Sequence, residues 1–224
     1  MSSSKPTKEA VEALLKKSPY SSSNLLESLE GYVDAQASGE AVYFMDANRS
    51  LLKLYQFAPQ NLKEDKVAII LLLTLLEFPS TDLLALRYLV PESVQKTDAC
   101  SSILSCSALL DACKFTDFWP TFFALGGNDA IINIVGASKE KMQRAIISVL
   151  ALTYRTATLS KVLECTNMTS ADELTKLGNP CIESVSGDKV SFVATAENTK
   201  RTRVFQEGVN FSAIAAMMAK VSSE

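Results

Sequence analysis

The run Asp46-Ala-Asn-Arg-Ser-Leu-Leu-Lys-Leu-Tyr-Gln-Phe-Ala-Pro59 constrains the fold of this chain more than any other stretch. Its apolar residues recur at i, i+3, i+4 and i+7, the spacing of one helical face: Leu51, Leu54, Tyr55 and Ala58. Pro59 ends the helix, because a proline ring disfavours helical geometry in the residue before it. None of these side chains is suited to catalysis. The run therefore predicts a helix whose apolar face packs against other helices.

The composition favours more helices of the same kind. The 224 residues are 47% hydrophobic and 21% charged, as in ordinary globular proteins. Only 8 Gly and 7 Pro are present, and most stand singly between apolar periodic stretches. This distribution is typical of helices joined by short loops. The net charge of −3 and the pI near 5.2 argue against a protein whose main task is to coat nucleic acid, since such domains often have a pI above about 9.

The amino-terminal half contains a succession of helical segments separated by Pro, Gly and Ser. The most apolar tract, 67–76, is shorter than the roughly 20 residues that span a bilayer, so we expect a helix buried on nearly all sides. Asn61 and Glu64 have the spacing of a capping box at the start of that helix. The other predicted helices are 7–17, one with Leu25, Leu29, Tyr32 and Gln36, one starting near Val42, 82–89, 93–113 with Ala99, Ser102, Cys106 and Leu109 on one face, and an aromatic segment with Phe115, Phe118, Trp119, Phe122 and Phe123 that is interrupted at Pro120.

Successive helices with short connections predict a stacked array, as in helical-repeat proteins. No strict sequence repeat is present, so we expect an irregular stack. The aromatic segment favours a packed core joining the two halves of the chain over a base-stacking platform, because only Lys114 accompanies it. The fold class predicted for residues 1–125 is therefore an irregular helical-repeat (HEAT-like) domain in a mainly α protein.

The second half predicts a small winged-helix domain. A long amphipathic helix is expected over 138–158, followed by short helices over 160–165 and from Ser170 to Gly178, the latter opening with a second capping box. Beyond Ile182 the apolar period becomes two on either side of Ser186-Gly187-Asp188, which is a hairpin signal. Three helices followed by a hairpin is the order of a winged helix. We expect this domain over residues 126–205 and a separate carboxyl-terminal helix within 206–224. The long helix should bury Met142, Ile146, Val149, Leu150 and Thr153.

The chain lacks the groups that several catalytic mechanisms require. It has no histidine, which excludes Ser-His-Asp and Cys-His arrangements and H-E-x-x-H zinc sites. No phosphate-binding glycine motif occurs, and Gly126-Gly127 is interpreted as a turn. The five cysteines have no C-x-x-C spacing, which favours buried or semi-buried free thiols in a reducing compartment. The amino terminus has no apolar core of a signal peptide. We expect a cytoplasmic protein that is not an enzyme and binds no metal or cofactor.

Direct nucleic-acid binding is expected to be weak or absent. The candidate recognition helix of the winged domain, Ser170 to Leu177, has Asp172 and Glu173 at the end where base and phosphate contacts require Arg, Lys, Asn or Gln. The one basic cluster consists of Lys200, Arg201 and Arg203. A solvated strand end or linker is favoured for this cluster, and the alternative is a weak, salt-sensitive contact with RNA phosphates.

The last periodic segment, 210–221, predicts a short helix with a small, methionine-rich apolar face. Phe211, Ile214, Ala215 and Met218 fall at i, i+3, i+4 and i+7, and Met217 lies beside Met218. A helix this short is marginal in water and needs a surface to pack on. It either folds back on its own domain or joins a bundle of helices from partners. The candidate protein-interface residues are Phe211, Ile214, Met217 and Met218.

Two segments carry a resemblance to a known family. Asn24-Leu-Leu-Glu-Ser-Leu-Glu-Gly-Tyr-Val-Asp-Ala-Gln36, together with Leu-Lys-Leu-Tyr-Gln-Phe inside the opening run, closely resembles the subunit k family of eukaryotic translation initiation factor three. Weaker similarity extends through 111–119, 149–154 and 209–219, so it covers nearly the whole chain. The chain departs from animal members in its lack of histidine and in a Ser/Thr-rich stretch from Asn167 to Ala196.

The resemblance implies both an architecture and a role. It implies a helical-repeat-like domain followed by a winged helix, similar to the subunits of the proteasome lid and the signalosome. It further implies a non-catalytic member of a multisubunit complex that binds the small ribosomal subunit, with subunit l among its partners. Two alternatives stay open. One is a subunit of the related lid or signalosome complexes, and the other is a nucleic-acid-binding winged-helix regulator.

Overall fold

The computed structural model describes residues 7–17, 23–127, 131–199 and 211–222. Helices form the whole amino-terminal part of the described chain, with a short 3-10 turn at Pro59–Asn61. They are α1 (Lys8–Lys17), α2 (Ser23–Ala37), α3 (Met45–Phe57), α4 (Glu64–Leu75), α5 (Asp82–Arg87), α6 (Glu92–Gln95), α7 (Asp98–Asp111) and α8 (Phe115–Ala124). These helices are called the platform below.

The platform is built around α4, which is buried on nearly all sides as predicted. Every residue from Val67 to Leu75 is buried. The helix lies between α2 on one side and α7 on the other. A helix at the surface of a protein needs apolar residues on only one face. Helix α4 is surrounded by other helices, and its apolar residues on all faces fit this central position.

Helix α3 presents the predicted apolar face to this core. Leu51, Leu54 and Tyr55 are buried, and the helix ends at Phe57, two residues before Pro59. Its start was predicted too early, because the chain is extended at Phe44. The carbonyl of Val42 accepts a hydrogen bond from the Tyr32 hydroxyl at 2.8 Å instead of a helical partner.

Three local predictions for the platform are wrong. Asn61 does not cap α4: it lies in the 3-10 turn that Pro59 starts, and the N-cap of α4 is Lys63. The helix predicted over 93–113 is two helices, because the chain is extended at Thr97, whose hydroxyl donates to the carbonyl of Val94 at 2.8 Å. The restart changes the buried face of α7, which consists of Cys100, Ile103, Cys106 and Leu110.

The third error concerns Pro120, which lies inside α8 without interrupting it. Tertiary packing overrides the local penalty of the proline ring. Phe118, Trp119 and Phe122 are buried, and the rings of Phe118 and Phe122 stack with centroids 5.1 Å apart. Phe123 is the exposed member of the aromatic segment. The packed aromatic core predicted for this segment is confirmed.

The rest of the chain contains a three-stranded antiparallel sheet. Its elements are α9 (Ile132–Thr153), β1 (Thr156–Thr158), α10 (Leu159–Thr166), α11 (Ala171–Gly178), β2 (Ile182–Ser186) and β3 (Lys189–Phe192), followed later by α12 (Phe211–Val221). The order of strands in the sheet is β1-β3-β2. The described residues from α9 to β3 are called the winged module below. The mainly α fold class with a small winged helix is confirmed.

The predicted hairpin is confirmed, and one strand was missed. Ser186 pairs with Lys189 across the turn, where Gly187 has φ +58, a conformation that glycine adopts without strain. Strand β1 pairs with β3 from Thr156 to Thr158. Because β1 follows it, the long helix ends at Thr153 rather than at Thr158. It begins at Ile132, six residues before the predicted start. Thr153, which was predicted to be buried, is exposed.

Candidate interaction surfaces

Helix α12 exposes the apolar residues that the sequence singles out. Phe211 is 82% exposed, Ile214 42% and Met218 67%. Every side chain described on this helix is exposed, including Val221. The side chain of Met217 and the cluster Lys200, Arg201 and Arg203 lie outside the described residues. We call Phe211, Ile214, Met218 and Val221 the terminal apolar face.

The terminal apolar face has the chemistry of a surface for packing against another helix. Ile214, Met218 and Val221 border a shallow concavity at the end of the chain. The helix contains no acidic residue, and Lys220 is its only charged one. Flexible methionine side chains adapt to irregular apolar partners. A surface of this kind gains free energy when it is removed from water, and it offers no group for catalysis.

Helix α11 is acidic at the position where a winged helix would contact DNA. The hydroxyl of Ser170 accepts a hydrogen bond from the backbone N–H of Glu173 at 3.3 Å, so the predicted N-cap is confirmed. Asp172 and Glu173 are exposed in the first turn, and Leu174 is buried beneath them. Phosphate groups bind at helix ends that offer positive charge and N–H donors. Two exposed carboxylates repel them.

Hydrogen bonds join the winged module to the platform and fix its own helices. The indole N–H of Trp119 on α8 donates to the carbonyl of Cys165 on α10 at 2.8 Å. Within the module, the amide of Gln143 on α9 donates to the carbonyl of Thr166 at 3.0 Å. A second contact joins the module to the other part of the chain, because Lys141 on α9 forms an ion pair with Glu77 in the turn that follows α4. Sequence reasoning found none of these partners, because they lie far apart in the chain.

A buried polar network fixes the platform where α2 meets α3 and α4. The hydroxyl of Tyr55 donates to Glu30 Oε1 at 2.7 Å, and Lys63 pairs with Glu30 Oε2 at 2.6 Å. Burial raises the pKa of Tyr55, and its hydrogen bond to the Glu30 carboxylate raises it further. On the same helix pair, the amide of Gln36 donates to Asn48 Oδ1 at 2.9 Å. These groups are engaged with one another, so the network has a structural role.

The cysteine thiols are free, and most are shielded. Burial raises the pKa of Cys106 to about 12 and also raises the pKa of Cys100 and Cys165. The thiolate is the reactive form, so these groups are poor nucleophiles near neutral pH. Cys113 is exposed, which corrects the expectation that all five thiols are at least partly buried. No cluster of three or more His, Cys, Asp and Glu residues that would suit a metal ion occurs in the described part of the chain.

The apolar tract of α4 lies in the packed core. Among residues 7–17, 23–127, 131–199 and 211–222, no helix has both the length and the apolar character needed to cross a bilayer. Helix α4, which contains the longest buried apolar run, has 12 residues.

A platform of stacked helices, a winged module and an exposed terminal apolar face together define a class of protein. It is a mainly helical protein with a helical-repeat platform and a winged-helix module. The CSN8/PSMD8/EIF3K family model matches residues 61–207, which is more than half of the chain and includes the whole winged module. The chain belongs to this family.

Within this family, the chain is similar to proteins that share one name. Proteins named eukaryotic translation initiation factor 3 subunit K are 30% identical over 198 residues in Xenopus laevis and 27% identical over 194 residues in Homo sapiens. Each alignment covers 87% of this chain and 87% of the relative. The subunit K protein of Dictyostelium discoideum is 29% identical over 150 residues, which cover 67% of this chain and 59% of that protein.

Proposed function

We propose that this chain is a non-catalytic scaffold subunit of the eukaryotic translation initiation factor 3 complex in the cytoplasm. The observation that carries the proposal is the terminal apolar face, which is exposed while the platform and the winged module bury their apolar side chains in one shared core. The names of the relatives favour the initiation factor over the other complexes that the family name covers. Its contact with the small ribosomal subunit would be made through the complex.

The terminal apolar face supplies part of the affinity that such a subunit needs. Full burial of a large apolar side chain contributes about 1.5–3 kcal/mol. Phe211, Ile214 and Met218 together therefore contribute at most about 4.5–9 kcal/mol, while association costs about 4–15 kcal/mol in lost translational and rotational freedom. The helix alone does not account for a stable complex. We therefore assign a second contact to the winged module, with subunit l as a partner.

The same proposal divides the chain into three parts. Residues 1–125 form the helical-repeat domain, 126–205 the winged-helix domain and 206–224 the terminal helix. The 3-10 turn at Leu125–Gly127, between α8 and α9, supports a boundary there. The acidic start of α11 supports protein contacts rather than duplex binding for the winged module.

Charge placed on the terminal apolar face tests its role as an anchor. The double variant Phe211→Asp with Met218→Asp is expected to lose most of its recovery with the initiation-factor subunits, because two carboxylates would have to be buried unpaired. Its far-UV circular dichroism and thermal unfolding should match the parent, since both side chains are exposed.

The matched control places the same two charges on another side of α12. Ser212 and Ala219 are exposed and have the same spacing as the tested pair, so Ser212→Asp with Ala219→Asp should co-purify normally. Undiminished recovery of the Phe211→Asp, Met218→Asp protein would refute the anchor. An equal loss of recovery with both double variants would show that negative charge anywhere on α12 weakens the complex, whether or not it lies on the terminal apolar face.

A further inference from the structure

A crevice on the platform, far along the chain from α12, has the features of a docking site for a peptide side chain. It lies between α5, α7 and the turn that follows α4, and its volume is about 220 Å³. Its floor is apolar and its rim polar. The residues that define it are Leu83, Leu84, Arg87, Leu104, Ser107 and Asp111. We call it the α5–α7 crevice.

The size of the crevice selects its class of occupant. Small-molecule sites usually have about 300–1,000 Å³, so the α5–α7 crevice is too small for a typical metabolite or cofactor. An apolar cavity of about 150 Å³ is large enough to hold a benzene ring. A single phenyl or leucyl side chain therefore fits the available volume.

The rim of the crevice carries one cationic and one anionic side chain, Arg87 on α5 and Asp111 on α7. Arg87 is exposed, and its guanidinium group makes no ion pair or hydrogen bond within the described part of the chain. Across the crevice, the carboxylate of Asp111 accepts a hydrogen bond from the Ser107 hydroxyl at 3.5 Å. The guanidinium group is thus available to a carboxylate of the occupant, which it would bind in a fork geometry.

Apolar side chains continue the surface beside Arg87. Leu84 is 57% exposed and Tyr88 is 78% exposed. Leu84 lies within α5, and Tyr88 is the residue that caps its carboxyl end. Interface anchors are typically aromatic or large apolar side chains in pockets, with aromatic residues and arginine enriched around them.

We propose that the α5–α7 crevice binds a segment of another protein that places one aromatic or leucyl side chain in the cavity and an adjacent carboxylate on Arg87. The apolar side chain contributes the binding energy, and the ion pair with Arg87 orients the segment. This site is separate from the terminal apolar face. Its failure would leave the proposed subunit role untouched, and the reverse also holds.

A synthetic probe tests both features of the occupant with the full-length chain. The amidated peptide Gly-Ser-Asp-Asp-Phe-Asp-Asp-Ser-Gly, labelled with fluorescein, should bind saturably with a Kd below about 1 mM. Replacement of its phenylalanine by alanine should weaken binding at least about tenfold, and replacement of its aspartates by lysines should do the same. No saturable binding, or equal binding of the three peptides, would overturn the proposal.

A charge reversal in the protein gives the sharper result. The Arg87→Glu variant should bind the aspartate peptide at least about tenfold more weakly than the parent does, and it should bind the lysine peptide more tightly. Lys176→Glu changes the net charge equally on an exposed residue of α11 and should bind like the parent. Leu84→Ala removes one wall at an exposed position and should weaken all peptides that contain phenylalanine.

Two other outcomes would also reject the proposal. If Arg87→Glu and Lys176→Glu weaken the aspartate peptide equally, its attraction is non-specific. If sedimentation shows a dimer of the parent chain that Arg87→Glu abolishes, the crevice belongs to a second copy of this chain.

Discussion

The substitution Tyr55→Phe removes one hydroxyl from the buried network that joins α2, α3 and α4. Tyr55 is 1% exposed, and its hydroxyl donates to Glu30 Oε1 at 2.7 Å. Glu30 is itself buried, and its remaining side-chain partner is Lys63, at 2.6 Å from Oε2. The substitution therefore leaves one oxygen of a buried carboxylate without its donor, while the aromatic ring continues to fill the core.

The expected loss of stability follows from the charge on the acceptor. Hydrogen bonds to charged groups contribute about 1.5–3 kcal/mol, compared with about 1 kcal/mol for neutral pairs. We therefore expect Tyr55→Phe to lower the free energy of unfolding by about 2 kcal/mol. For a chain of this size, a change of 1 kcal/mol shifts Tm by about 2–4 °C, so Tm should fall by about 4–8 °C.

Urea unfolding followed by far-UV circular dichroism measures this loss, and Tyr88→Phe is the control. The Tyr88 side chain is 78% exposed, so its loss should change stability by less than about 0.5 kcal/mol. In a Glu30→Gln background the effect of Tyr55→Phe should fall to about 1 kcal/mol, because the acceptor is then neutral. If Tyr55→Phe and Tyr88→Phe have the same effect, the argument from the buried carboxylate is wrong.

Four further substitutions probe other parts of the fold. Gly178→Ala should destabilise by about 1–3 kcal/mol in thermal unfolding, because the added methyl collides with an isoleucine side chain on β2. Gly136→Ala has open space around it inside α9 and should instead stabilise by about 0.4–1 kcal/mol; the opposite ranking would contradict the packing. Trp119→Phe leaves the carbonyl of Cys165 without its indole donor, and a loss of about 1–3 kcal/mol is expected; an unchanged Tm would show that this contact does not hold the winged module. Burial raises the pKa of Tyr43 above its ordinary value of about 10. The folded state keeps a proton that the unfolded state loses, so stability falls above about pH 10, and in Tyr43→Phe this decline should be shallower by about 1.4 kcal/mol per pH unit.

Long periodic segments allowed much of the fold to be predicted from the sequence. The apolar face of α3 and the all-round burial of α4 follow from residue spacing and composition alone. The hairpin follows from the change of period to two around Gly187. These signals are local, and nothing in the tertiary structure opposes them.

The errors occur where distant contacts decide between local alternatives. Pro120 remains helical because the aromatic side chains on either side of it are buried. Asn61 is not the N-cap of α4, because it belongs to the separate 3-10 turn that begins at Pro59. Strand β1 has three residues, too few for a periodic signal, and it exists through its pairing with β3.

The two candidate surfaces also differ in whether local sequence signals could predict them. Phe211, Ile214 and Met218 of the terminal apolar face were predicted, because their spacing is contained in one short helix, whereas Val221 was not. The α5–α7 crevice was not, since it brings together residues from Thr74 to Asp111. Neither Arg87 nor Leu104 carries a local signal of binding, and only the folded platform places them on one rim.

The composition of the complex isolated with the full-length chain tests the central claim most directly. A tagged chain is purified from its own cells after nuclease digestion and in about 0.4 M salt, and its partners are quantified by mass spectrometry. We expect the initiation-factor subunits, subunit l included, in amounts equal to the chain, because protein contacts survive both treatments while phosphate contacts weaken steeply with salt. Recovery of the chain alone, or of partners that disappear with the nuclease, would contradict the claim that it is an assembly subunit.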